Sequence, residues 1–200
     1  MLPRFYPILD PTRALPVVEQ AQAVLDGGAS FFQVRHKGTW TLAHLGELEA
    51  MVKLCPGLIV NDRADIAALV GVGLHVGQTD LPPAAARQQI GPRMLGFSTH
   101  NAAQLEASAA EPVDYVALGP VFATASKQNP DPQVGLDNLR AWRPLTRRPL
   151  VAIGGITRDN AVSVLQAGAD SVAVIGDLYP EELTAHSLRA RVMDWIKRLR

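Results

Sequence analysis

Eight short apolar runs recur along the chain, and stretches with helical spacing separate them. The runs are Phe5 to Leu9, Phe31 to Arg35, Leu58 to Val60, Gly73 to Val76, Met94 to Phe97, Tyr115 to Leu118, Leu150 to Ile153 and Ser171 to Ile175. Their length and β-branched or aromatic content predict strands. Between them, apolar residues return at intervals of three and four, as in Leu15, Val18, Ala21, Val24 and Leu25, and later Ala161, Val164 and Leu165. Gly27-Gly28 is placed to close the first helix and Gly168 the seventh. Asn101 and Asp159 are placed to start helices. Regular alternation of strand and helix predicts a parallel sheet. Eight units predict closure into a single-domain (β/α)8 TIM barrel over residues 1–200, with an open doubly wound sheet as the rival. The longest irregular stretch, Ala123 to Gly135, holds Pro130 and Pro132 and reads as a functional loop, a lid that brings Lys127 onto phosphate.

In such a barrel the chemistry sits at the C-terminal ends of the strands, and the polar clusters of this sequence fall there. After strand two come Gln33, Arg35 and Lys37. Strand alternation puts these three on one side, toward the mouth, and Phe32 and Val34 on the other. An arginine fork and a lysine point charge suit an anion. After strands three and four come Asn61-Asp62 and Gly77-Gln78-Thr79-Asp80. Two aspartates from adjacent strands match Mg²⁺, which takes one or two carboxylates and fills its shell with water or phosphate oxygens. Zinc would call for His or Cys. Helix capping is the alternative for Asp62 and Asp80, and the preferred reading for Asp65.

After strand five, Ser98 and Thr99 are placed to meet phosphate or a ring, while His100 reads as a cap or core group. His75, inside strand four, reads as a satisfied core group, and His44 as a surface or packing residue. Gly119-Pro120 opens the loop with Thr124, Ala125, Ser126 and Lys127. After strands seven and eight, Gly154-Gly155 and Ile175-Gly176 permit close backbone approach to a phosphate.

Charge excludes some partners. Nineteen basic and nineteen acidic side chains give a net charge of +0, so no bulk field favours nucleic acid or a membrane surface. A charged ligand must be held by locally placed groups. The one cysteine, Cys55, forms no intrachain disulfide and predicts a reducing, cytoplasmic setting. Nor does any apolar stretch approach the length of a membrane span. Two anion grips emerge. One has Arg35, Lys37, Lys127 and a metal, suited to diphosphate; the other has backbone N–H groups, suited to a monophosphate. Two small-molecule substrates, a diphosphate ester and a phosphorylated acceptor, predict a transferase that expels pyrophosphate by positioning and charge stabilisation, without a protein nucleophile.

These residues resemble the thiamine phosphate synthase family. The resemblance rests on Gln33-x-Arg35-x-Lys37, Asn61-Asp62-Arg63, His75-x-Gly77-Gln78-x-Asp80, Gly96-x-Ser98-x-His100, Gly119-Pro120-Val121-Phe122-x-Thr124-x-Ser126-Lys127 and Ala152-Ile153-Gly154-Gly155-Ile156. It implies a (β/α)8 barrel that joins hydroxymethylpyrimidine diphosphate to thiazole phosphate, in plain or carboxylated form. The products would be thiamine monophosphate and pyrophosphate, by way of a pyrimidinylmethyl cation. By position, Asp62 and Asp80 would ligate Mg²⁺. Gln33, Arg35, Lys37, Asn61, Ser98 and Lys127 would hold the pyrimidine and diphosphate, with Arg35, Lys37, Ser98 and Lys127 in the catalytic roles. Thr124, Ala125 and Ser126 would meet the thiazole, and Gly155, Ile175 and Gly176 its phosphate.

The chain departs from the family pattern at Gly176, where Ser is frequent, at Ser126, where Thr is common, and at His36, where an acid is frequent. A thiazole tautomerase of the same superfamily is one rival, but that branch tends to lose the aspartates and to carry His where Pro120 stands. A non-catalytic precursor sensor is the other. The apolar face of the last helix, Val192, Trp195, Ile196 and Leu199, is open to two readings, internal packing or a homo-oligomer contact.

Overall fold

A computed structural model describes residues 2–124 and 131–200. The strands and helices alternate throughout: β1 (Phe5–Leu9), α1 (Val17–Asp26), β2 (Gln33–Val34), α2 (Leu42–Leu54), β3 (Ile59–Asn61), α3 (Ala64–Val70), β4 (Gly73–Val76), α4 (Pro83–Ile90), β5 (Leu95–Thr99), α5 (Ala102–Ala107), β6 (Tyr115–Leu118), α6 (Gly135–Trp142), β7 (Leu150–Ile153), α7 (Ala161–Gln166), β8 (Ser171–Val174) and α8 (Ala185–Arg198). Every strand pairs in parallel with the next, and β8 pairs back onto β1 through Phe5↔Val172, Tyr6↔Ala173 and Pro7↔Val174. The sheet is therefore a closed barrel rather than the open doubly wound alternative. Closure removes both edges that an open sheet would leave unpaired. No described helix is long and apolar enough to cross a membrane.

The strand boundaries differ from the sequence reading in ways that matter for the site. β2 is only two residues long, so Arg35 leaves the ladder after one last bond, its N–H to the Leu9 carbonyl at 2.9 Å. β5 runs two residues further than expected and carries Ser98 and Thr99 within it. Asn61 closes β3 from inside the strand.

Helix ends follow local chemistry. Asn101 caps α5, its side chain accepting the Gln104 N–H at 2.9 Å. Gly28 and Gly168 adopt φ of +100° and +110° just past α1 and α7, a conformation that glycine takes without a Cβ clash. Asp159 does not start α7. The preceding loop is closed instead by Asn160, whose Oδ1 accepts the Thr157 N–H at 2.9 Å, and Asp159 lies exposed. Asp65 does not cap α3 either. It sits inside the first turn and takes the Arg63 guanidinium, with Nε to Oδ1 at 2.8 Å.

The last helix closes the outer ring. Val192, Trp195 and Leu199 are buried, and Trp195 stacks on Phe5 of β1 with ring centroids 5.3 Å apart. Those three residues of the apolar face are thus internal packing. We predict that Trp195→Ala destabilises the fold by about 3–5 kcal/mol, the usual range for truncating a buried aromatic. A lowered urea midpoint with an unchanged slope is the expected readout.

Candidate active site

The site begins below the mouth. Inside the barrel Tyr6 of β1 meets Tyr115 of β6 at 2.7 Å between hydroxyls. These strands are not neighbours in the sheet, so the contact crosses the interior. Gln33 Nε2 donates to the Tyr6 hydroxyl at 3.0 Å. The Tyr115 hydroxyl lies 2.9 Å from His75 Nδ1, and His75 Nε2 lies 2.9 Å from Ser98 Oγ. Each hydroxyl has one proton and a neutral imidazole has one N–H. With Gln33 donating, one arrangement uses every buried donor: Tyr6 to Tyr115, Tyr115 to His75 Nδ1, and His75 Nε2–H to Ser98. The Ser98 proton is then left to point outward.

Burial lowers the His75 pKa to about 4 and so keeps its ring neutral, as this arrangement requires. Gly96 makes room for the chain, because a Cβ there would stand 2.1 Å from the Tyr115 ring and 2.4 Å from His75 Nδ1. Sequence reading placed His75 as a satisfied core group, which the two bonds bear out. It missed Tyr6 and Tyr115, whose signal was a polar tip at inward positions of two strands.

Above this floor the ends of β3 and β4 bring the two aspartates together. Asp62 has φ of +64°, the left-handed region, and is the one non-glycine residue there among those described. Such a backbone costs about 1–2 kcal/mol. It is held by the Asp62 N–H to the His75 carbonyl at 2.8 Å. Asp80 is fixed by the turn before α4, its Oδ2 accepting the Gly77 N–H at 2.7 Å. The Asp80 pKa is raised, first by burial and then by the adjacent Asp62 carboxyl. The Lys37 ammonium contacts Asp62. Neither aspartate caps a helix, since Arg63 and Pro82 occupy those positions. Asn61 Nδ2 is buried and has no hydrogen-bond partner among the described residues.

The donor set fits magnesium. No group of three or more His, Cys, Asp or Glu side chains gathers among the described residues. Two half-buried carboxyls are what an ion completing its shell with water and phosphate oxygens takes from a protein.

Other candidates are sorted by depth. Gln33 is 2% exposed and belongs to the floor, not the rim. Arg35 is half-buried and Lys37 exposed at the mouth. Thr99 does not face the mouth as expected. It is buried, and its hydroxyl donates to the Ala117 carbonyl at 2.9 Å. His100 Nδ1 bonds the Gly119 carbonyl at 2.6 Å, which makes it a brace between loops. His36 turns away to pack on Trp40 and His44, and His44 closes the capping box of α2 with Thr41. Thr124 is half-buried. Ala125, Ser126 and Lys127, with the core of the expected lid, lie outside the described residues.

On the opposite rim, Gly155 adopts φ of +63°, and a Cβ there would stand 2.4 Å from the Ala123 carbonyl. Glycine lets the loops after β6 and β7 touch backbone to backbone. Asn160 Nδ2 holds the Gly155 carbonyl at 3.0 Å. Gly176 opens a 3-10 turn over Gly176–Leu178, whose leading N–H groups have no partner within the turn.

Fold and site together define a (β/α)8 barrel whose mouth carries charged side chains after β2, β3 and β4 and glycine-containing loops after β7 and β8, half a turn away. The family model described as thiamine monophosphate synthase matches residues 5–178. The thiamine-phosphate synthase of Koribacter versatilis is 50% identical over 188 residues, covering 88% of this chain and 89% of that protein. That of Chloroflexus aurantiacus is 39% identical over 178 residues, covering 86% and 82%. The solved thiamine phosphate pyrophosphorylase from Pyrococcus furiosus superposes with a TM-score of 0.85 at 29% identity, covering 98% of this chain and 95% of that one. The chain belongs to the thiamine monophosphate synthase family.

The floor generates a pH prediction. The His75 pKa is held at about 4 in the fold, against about 6.5 for an ordinary histidine. Between those values the unfolded chain binds the extra proton, so stability falls as pH drops from about 6.5 to 4, by roughly 3 kcal/mol in all. The loss is complete below the folded pKa. His75→Gln should flatten this part of the stability–pH curve, measured by urea unfolding at stepped pH.

Proposed function

We propose that this chain catalyses the pyrophosphate-releasing union of 4-amino-2-methyl-5-hydroxymethylpyrimidine diphosphate with hydroxyethylthiazole phosphate, or its carboxylated form, to give thiamine monophosphate. The observation that carries the reading is Asp62, held at φ +64° beside Asp80 with Lys37 against it. Backbone strain at a strand end persists where the surrounding structure fixes it, and it clusters at functional sites. Asp62 and Asp80 would hold Mg²⁺, which when bound supplies positive charge for a departing diphosphate.

The chain's own residues divide the remaining work. Lys37, Arg35 and Lys127 carry positive charge to the same phosphate oxygens. The unpartnered Asn61 amide and the outward Ser98 proton donate to the pyrimidine end. The carbon–oxygen bond to diphosphate breaks first, and pyrophosphate keeps the electron pair. The thiazole nitrogen then forms the new carbon–nitrogen bond with its lone pair. Thr124, Ala125 and Ser126 position that ring, and the N–H groups around Gly155, Ile175 and Gly176 hold its phosphate.

Purified protein with both substrates and Mg²⁺ should release one pyrophosphate per thiamine monophosphate formed. Tight binding of both substrates without release would leave a sensor instead. Asp62→Asn is the cleaner metal-site variant, because Asn tolerates positive φ and preserves the turn. Turnover should fall by more than about 100-fold, beyond the ~10–100-fold of changes that only orient a ligand. Unchanged turnover at limiting Mg²⁺ would sink the metal assignment.

At Gly176 a Cβ meets nothing within 4 Å, so Gly176→Ser fits and adds a donor to the phosphate. A hydrogen bond to a charged group contributes about 1.5–3 kcal/mol, so KM for the thiazole phosphate should drop roughly tenfold or more.

A further inference from the structure

Two loops from different strands must hold their N–H groups at a fixed spacing if they are to grip one phosphate. The loop after β7 carries Gly154-Gly155 and the loop after β8 carries Ile175-Gly176. Asp177, directly after Gly176, ties them together. Its Oδ2 accepts from the Arg158 N–H at 3.2 Å and from Arg158 Nε at 2.9 Å. The other end of the guanidinium, Nη1, reaches Asp194 Oδ2 of α8 at 2.8 Å. The Asp177 carbonyl is in turn held by Arg191 Nη1 at 2.8 Å and by Trp195 Nε1 at 3.4 Å. Asp177 and Arg158 side chains are only 20% and 28% exposed, so this cross-link is less screened than an ordinary surface pair.

The charge balance has a second consequence. A carboxylate one residue from a phosphate-binding glycine would repel the ligand if left alone. Arg158, Arg191 and Arg198 offset Asp177, Asp194 and Asp159 one for one: Arg191 lies 3.7 Å from Asp177 Oδ1, and Arg198 lies 3.2 Å from Asp194 Oδ1 and 3.6 Å from Asp159 Oδ1. The rim therefore stays neutral, and the backbone N–H groups face the phosphate without a competing anion.

We propose that Arg158 and Asp177 form a positioning pair that sets the spacing and neutrality of the thiazole-phosphate loops. This rests on the function proposed above, in which those loops hold the second substrate's phosphate. Neither residue touches the reacting atoms. Arg158→Ala should raise KM for the thiazole phosphate about tenfold. KM for the pyrimidine diphosphate and kcat at saturation should stay within about twofold, because Asp62, Asp80 and Lys37 lie on the facing sector. Arg158→Lys keeps the charge but not the fork, and should recover part of the loss. The double variant Arg158→Ala/Asp177→Ala should be no worse than the worse single, as for residues acting as one unit.

Equal rises in both KM values, a lowered melting temperature with both KM values unchanged, or additive singles would each overturn the pair. If Arg158→Ala does not fold, Arg158→Lys and Asp194→Asn carry the same KM comparison. If wild type releases no pyrophosphate, the function proposed above fails on its own. Calorimetry with inorganic phosphate then decides the pair: about tenfold weaker binding in Arg158→Ala supports it, and equal binding overturns it.

Discussion

Five polar side chains meet in the interior of a largely apolar core, and each has to find a partner there. Gln33, Tyr6, Tyr115, His75 and Ser98 solve this with four hydrogen bonds between 2.7 and 3.0 Å. A buried polar group left unpaired costs about 1–3 kcal/mol, so the chain holds together as a unit or fails as one. Its demands spread outward. It needs the closed sheet, because its central bond joins β1 to β6 across the interior. It needs glycine at position 96. It fixes the imidazole as neutral and sets the direction in which the Ser98 hydroxyl is free to donate. The mouth chemistry is built on this floor.

The order of strands in the closed sheet gives the proposed function two separate sectors of one mouth, one for each phosphorylated ligand. β3 and β4 carry Asn61, Asp62 and Asp80, and β2 delivers Lys37 to them. β7 and β8 lie half a turn away around the barrel. On the function proposed above, one sector would work with full charges, and the other with backbone dipoles kept neutral by paired arginines and aspartates. A diphosphate that must leave needs charge to follow it, whereas a phosphate that only anchors its substrate does not. The protein's net charge of zero fits this division, since the attraction resides in local placement.

Much of this was legible in the sequence, and the failures have physical reasons. The eight strands were visible because parallel strands buried on both faces read as continuous apolar runs. The mouth residues were visible because they follow those runs directly. Strand alternation predicted Gln33, Arg35 and Lys37 on one face, but β2 ends at Val34, so the rule stops applying before Arg35. Thr99 was misplaced for the opposite reason: β5 continues through it, and alternation turns it away from Ser98. Asp159 lost the helix start to its neighbour Asn160, whose amide both accepts from Thr157 and donates to Gly155. Propensity alone does not separate two adjacent capping residues. Tyr6 and Tyr115 were read as apolar because each offers a large ring to the core, and only their mutual approach in three dimensions reveals what the hydroxyls are for.

The aspartate pair gains its meaning from what was excluded around it. Helix capping was the simpler account, and the positions of Arg63 and Pro82 remove it. An ordinary ion pair is the next simplest, with Lys37 as the counter-charge. Two carboxylates and one ammonium still leave a net charge of −1. The raised pKa of Asp80 shows that burial and its neighbour oppose that charge. A fold that also bears the cost of a left-handed Asp62 has not minimised its own energy at this point. On the function proposed above, carboxyls brought together against repulsion and backbone strain would form a receptor for a cation that arrives with the ligand, and that requirement would separate a diphosphate-ionising barrel from a relative that only moves protons.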